Sequence, residues 1–183
     1  MRKTYLIIAL SLVLLAIASL TLNINTTTGQ ASSQKPSSFP AISEAVRYSA
    51  FFHFVVDLQQ QAVQMEKEGQ KGDSLRAYLQ TQTSLNDEEA RKLNEIAAAC
   101  VEEISQQDAK ALAVIQAFRS QFPEKIPAGV NPPPPPPELK VLQQERDQII
   151  LAAKSKLVTA LGEASFDKVA KFAERRITLT SRQ

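Results

Sequence analysis

From Leu85 to Phe122 the chain carries one unbroken helical pattern, and no other feature narrows its possible folds as much. Asn86 is a good N-cap residue; Glu89, three positions on, completes a capping box, and Asp87 and Glu88 suit the first turn. Inward positions then recur at Leu93, Ala97, Cys100, Ile104, Gln107, Ala111, Val114 and Phe118, close to heptad spacing. Pro123 stops the pattern, because proline offers no N–H and its ring clashes with the preceding turn. A helix of this length spans on the order of 50 Å. A repeat near 3.5 residues favours a left-handed bundle or a coiled-coil partner. Gln107 is the one polar position in this seam, placed to fix register or to mark a partly exposed end.

The flanks read as further helices. After Phe39 and Pro40 a helix is expected to start at Ala41 or Ser43, with Ile42, Ala45, Val46, Phe52, Val55, Val56, Ala62 and Met65 on one face. Tyr48, Phe51, Phe52 and Phe54 make it apolar around more of its circumference than a surface helix needs, so it is either a buried centre or a contact site. Gly69 and Gly72 end it. Asp73 or Ser74 can cap a short helix from Leu75 to about Thr83. Residues 123–137 form a proline-rich loop whose six consecutive prolines favour a stiff polyproline II spacer of about 19 Å. Glu138 opens a helix with Leu139, Leu142, Ile149, Ile150, Ala153, Leu157 and Leu161 inside and Gly162 at its end. A last helix is expected over Ser165–Arg176, using Phe166, Val169, Ala170 and Ala173, before a disordered tail at 178–183. The fold class is all-α: a bundle of about four to five helices around a long central one, spanning residues 41–177.

Charge and composition exclude several functions. Lys and Arg number 21 against 19 for Asp and Glu, and Arg2 and Lys3 account for the whole excess. Nucleic-acid binders concentrate basic charge to neutralise phosphate, so no nucleic-acid partner is expected of this neutral body. With only 5 Gly there is little material for a phosphate-cradling loop, and no P-loop, GxGxxG or GxSxG pattern occurs. One His and one Cys, His53 and Cys100, cannot build a transition-metal cluster of ordinary composition. His53 sits among phenylalanines and Cys100 in the seam amid alanines, where each reads as packing. The acidic pairs Glu66/Glu68, Glu88/Glu89 and Glu102/Glu103 read as solvated helix faces. No catalytic, cofactor-binding or metal-ligating set is expected.

Arg2 and Lys3 precede an uncharged run from Leu6 to Leu20, the order of a secretory leader, with Ala16 and Ala18 placed for cleavage before Ser19. No Cys follows the run, which excludes lipoprotein processing. Left uncleaved, Leu6–Leu22 reaches the minimum of about 17 residues for a spanning helix. Residues 1–22 are therefore a signal peptide or an N-terminal anchor, and both place the body outside the cytoplasm. Residues 23–40, rich in Ser, Thr and Gln, form a flexible spacer.

The stretch Leu85-Asn86-Asp87-Glu88-Glu89, followed by Arg91-Lys92-Leu93, resembles the LTxxQ element of small periplasmic helical stress proteins. That family includes envelope-stress chaperones and metal-responsive sensor-regulators. The resemblance implies a secreted chain whose long helices form a curved, often dimeric cradle. Asn86 stands where the family has Thr and Glu89 where it has Gln, and the proline run is foreign to it. The neutral body also lacks the family's basic concave surface, and the missing His and Met clusters weigh against metal sensing.

These readings converge on a non-catalytic, extracytoplasmic helical binding or chaperone-like protein of the periplasm, with Tyr48, Phe51 and Phe54 as the expected partner contact. The partner is another protein or a second copy of the chain, and a membrane is met only through an uncleaved N-terminus. The alternative is a membrane-anchored or dimeric helical spacer that uses the central seam as its interface.

Overall fold

The computed structural model describes residues 42–122 and 133–180, and side chains as far as Arg176. Among these residues are five helices and no strand: α1 Glu44–Lys67, α2 Asp73–Thr83, α3 Asp87–Ser120, α4 Glu138–Leu161 and α5 Glu163–Thr180. The all-α bundle expected from the sequence is the fold that forms. The leader and spacer, residues 123–132 of the proline loop and residues 181–183 lie outside the described residues.

Local chemistry sets each boundary. Ser43 Oγ accepts from the Val46 amide at 3.3 Å and caps α1. Both bonds of the capping box at α3 are made: Asn86 Oδ1 accepts from the Glu89 amide, and Glu89 Oε2 accepts from the Asn86 amide, each at 2.9 Å. The second Glu89 oxygen accepts from Ser165 Oγ at 2.7 Å, which ties the start of α3 to α5. At α2 the expected cap is displaced, since Asp73 is the first helical residue and the cap position falls on Gly72 without a side-chain bond. Glycine is needed there for space: a Cβ on Gly72 would lie 2.6 Å from the Ala62 carbonyl oxygen. Gly162, with φ of 73°, makes the turn that joins α4 to α5 without a gap.

The long pair α3 and α4 runs antiparallel, with Asp108 opposite Arg146 and Gln107 opposite Glu145. The other three helices pack against part of that pair. Leu93, Ile104, Ile150 and Leu157 meet Phe52 and Val55 of α1 and Val169 of α5 in a core where all seven are fully buried. Each such side chain contributes roughly 1.5–3 kcal/mol by leaving water.

Three expectations change. Val114 and Phe118 on α3, and Leu139 and Leu142 on α4, are only half-buried, because at their height the hairpin packs mainly on itself, and Ile149 is half-buried because it lies on the outer face of the core. The last helix begins at Glu163 and reaches Thr180, into the segment expected as tail. Phe172, absent from the expected inner face of α5, is a core residue with only 4% of its surface exposed.

Candidate contact surface

The three rings expected to meet a partner are mostly interior. Tyr48 and Phe51 are each 3% exposed, and Phe54 is half-buried. Phe172 covers two of them. Its ring lies 6.4 Å from Phe51, 6.2 Å from Phe54 and 6.2 Å from Tyr78, closing an aromatic network between α1, α2 and α5. Tyr48 stacks on Phe166 at 6.2 Å, with Lys154 Nζ 5.6 Å from the Tyr48 ring centre. The guanidinium of Arg176 sits 3.5 Å from the ring centre of Phe54. The aromatic excess of α1 therefore builds the core, and the expected patch at Tyr48, Phe51 and Phe54 is corrected to packing. The first half of the central seam is likewise internal, with Leu93 and Ile104 fully covered within the chain, while Val114 and Phe118 in its second half are half-buried.

A polar belt marks where the five-helix core ends. Arg146 Nε donates to Asp108 Oδ1 at 2.9 Å, and its Nη2 donates to Ser49 Oγ at 3.3 Å, linking α4 to α3 and α1. Gln107, 4% exposed, donates to Glu145 Oε2 at 2.6 Å and to the Leu142 carbonyl at 3.3 Å, while Lys110 Nζ donates to its Oε1 at 3.2 Å. The one polar residue of the seam is thus a fully bonded cross-brace. His53, half-buried beside this belt, is held below its ordinary pKa by burial; Asp57 opposes that shift, Arg146 reinforces it and Asp108 opposes it.

Past the belt, the described part of the hairpin has no buried residue: burial on α3 ends at Ala111 and on α4 begins at Ile150. This distal arm exposes Val141 by 52% and Phe122 by 40%, with the Phe118 and Phe122 rings 5.3 Å apart.

Two surface grooves lie elsewhere, and His53 lines neither. One, of about 180 Å3, runs along the outer face of α3 and α4, lined by Ile96, Ala99, Cys100, Ile149 and Ala153 and rimmed by Glu95, Glu103 and Lys156. The Cys100 thiol at its floor is 2% exposed and pushed up to about 11, chiefly by burial and then by Glu103. A thiol so protonated is packing rather than a nucleophile. The other groove, of about 420 Å3, lies between the C-terminal end of α2 and the Lys168, Lys171 and Arg175 face of α5. Those cations complement the negative end of α2, whose last turn has no basic residue of its own. Among the described residues no group of three or more His, Cys, Asp or Glu is placed to hold a metal ion. No helix among them is long and apolar enough to cross a membrane.

Comparison with known proteins finds no matching family model, no matching curated protein and no matching solved structure.

Proposed function

We propose that the chain is a non-catalytic helical interaction protein working outside the cytoplasm, with the α3–α4 hairpin as its contact element. The observation that carries this reading is the contrast along the hairpin. A closed core surrounds its first half, while beyond Ala111 and before Ile150 the described hairpin buries nothing and leaves Val141 and Phe122 open to solvent. An antiparallel helix pair held mainly by its own contacts is marginal in water, so a partner surface would stabilise it. The leader-like residues 1–22 and the likeness of residues 85–89 to the LTxxQ element support the extracytoplasmic setting.

The test is site-specific photo-crosslinking in intact cells, with the photoreactive residue placed at Val141, Phe122 or Ser74, the last exposed on α2 away from the arm. The expected result is a shared discrete adduct from the two arm positions and none from Ser74. Equal adducts from all three positions, or none from the arm, would overturn the reading.

A further inference from the structure

The outer face of the α3–α4 hairpin carries a charge pattern that alternates between its two helices. Lys156 and Glu103, on opposite rims of the 180 Å3 groove, have no salt-bridge partner among the described residues. The register set by Asp108 and Arg146 places Lys156 level with the turn around Ala98, between Glu95 and Glu103 of the facing helix. The same register places Glu145 level with Lys110, and both of those groups meet Gln107. Up this face, beyond Lys92 and Arg91, which pair with Glu88 and Glu95 along α3, that helix reads negative, negative, positive, and α4 reads positive, then negative, at matching heights. Between the rims lie Ala99 and Ala153, small enough for a second backbone to approach closely, with Ile96 and Ile149 half-buried beside them.

We propose that a second copy of this chain packs on this face about a two-fold axis running along the hairpin, so that α3 of each copy lies over α4 of the other. The pattern selects both the occupant and the axis. A two-fold along the hairpin exchanges the helices but keeps their heights, which sets Lys156 between Glu95 and Glu103 of the second copy and Glu145 against Lys110 of the second copy. A two-fold across the hairpin stacks α3 on α3 and brings Glu95 against Glu103, like charge on like. The first arrangement sets opposite charges together at Lys156 and at Glu145, whereas the second, centred on the groove, does so at neither. The Ile and Ala floor of each groove then closes over the other, forming a four-helix layer of antiparallel neighbours. The face runs from about Lys92 to Lys110, roughly 28 Å of two helices each about 10 Å wide, or on the order of 600 Å2 per copy. That reaches the lower bound of about 1,200 Å2 in total for specific interfaces. The proposal rests on the reading of the hairpin as the contact element, but it uses the face beside the core rather than the distal arm.

The test is the mass of the full chain in mild detergent by multi-angle light scattering over a concentration series. The variants are Lys156→Glu, Ala99→Arg and the triple exchange Glu95→Lys, Glu103→Lys, Lys156→Glu. All four positions are exposed, so helix content and melting curves verify that each variant is folded. The expected result is twice the chain mass for the wild type and loss of the dimer on Ala99→Arg. Lys156→Glu should weaken association about tenfold or more, because the contacts of Lys156 with Glu95 and Glu103, each made twice by symmetry, become repulsive. The triple exchange should restore the dimer to within about threefold of wild type, since each contact of residue 156 across the interface regains an opposite charge, while the exposed Arg91–Glu95 pair given up lies within one chain. A wild type that stays monomeric, a dimer indifferent to the single substitutions, or a triple exchange that fails to restore it would overturn the proposal. Crosslinking from Val141 is read separately, so adducts that persist while the dimer is disproved leave the contact role of the arm standing.

Discussion

The two halves of α3 share one residue pattern and meet different fates. In the first half Leu93, Ala97, Cys100 and Ile104 are at most 2% exposed; in the second, Val114 and Phe118 continue the same spacing but stay half-buried, and Phe122 is 40% exposed. Nothing in the periodicity separates them. The separation comes from what stands opposite: α1 and the short α2 pack on the first half, within a core that α5 completes, while the second has chiefly α4 for company. Heptad spacing fixes which face of a helix points inward, and the number of neighbours fixes how deeply that face is buried.

The widest gap between the halves should appear on truncation. Phe52 is wholly enclosed and touches the rings of Tyr48 and Phe51, so Phe52→Ala is expected to cost about 3–5 kcal/mol through lost transfer energy and the cavity left behind. Val141→Ala in the arm should change stability by less than about 0.5 kcal/mol, since a half-exposed side chain has little to lose. Urea unfolding of the two variants decides the matter, and comparable losses would erase the distinction between core and arm. Next in size is Gly72→Ala. The added methyl collides with the Ala62 carbonyl, backbone cannot yield cheaply, and alanine is the poorer residue at a helix N-cap, so a loss of about 2 kcal/mol is expected. An unchanged or raised Tm would mean that the α1–α2 corner is looser than drawn.

The border between the halves tests whether the belt is structural. Arg146 and Asp108 keep only 17% and 20% of their side-chain surfaces exposed, so Arg146→Ala leaves Asp108 partly desolvated without its partner and removes the bond to Ser49. A loss of about 1–2 kcal/mol is expected. Asp108→Asn in the Arg146→Ala background should recover part of it, because the stranded charge is then gone. Equal stability of the single and double variants would show that solvent already screens the pair.

What was readable in the sequence follows the range of each interaction. The capping box at Asn86 and Glu89, the turn at Gly162 and the start of α1 beside Ser43 are set within a few residues, and each was visible from local residues, though the capping role of Ser43 itself was not read. The class of fold followed from periodicity. The role of the aromatic residues was not visible, because Tyr48, Phe51 and Phe54 look the same whether they face solvent or meet Phe166 and Phe172 more than a hundred residues away. The spacing of Val169, Phe172 and Ala173, at i, i+3 and i+4, was the signal that could have found the missing partner. The belt is equally non-local. Gln107 was marked as the odd residue of its seam, but its bonds to Glu145 and Leu142 depend on the register of two helices across the proline loop. Arg146 gave no signal at all, standing in an ordinary run of charged residues.

The smallest effect, and the most selective probe of the belt, is the pH dependence carried by His53. Burial favours the neutral ring, so the folded chain takes up this proton only below the ordinary value of 6.5, whereas the unfolded chain takes it up at that value. Stability from this group is complete above pH 6.5 and declines as the pH falls from there through the lower folded value. Asp57 and Asp108 oppose the shift and Arg146 reinforces it, which keeps the decline shallow. The carboxylates Glu66, Glu88 and Glu89 are held below their ordinary 4.5, Glu66 by Arg76, Glu88 by Lys92 and Glu89 by Ser165, so their contributions begin to fade only as the pH drops below that value. The two groups therefore act in separate windows. Between pH 7 and 5 the melting temperature of the wild type should fall by a small amount, and His53→Gln should flatten that segment while leaving the steeper loss below pH 4.5 intact. In the Arg146→Ala variant the segment should also flatten, since removing a neighbouring cation eases protonation of His53. A His53→Gln curve parallel to wild type between pH 7 and 5 would place the ring in solvent and detach it from the belt.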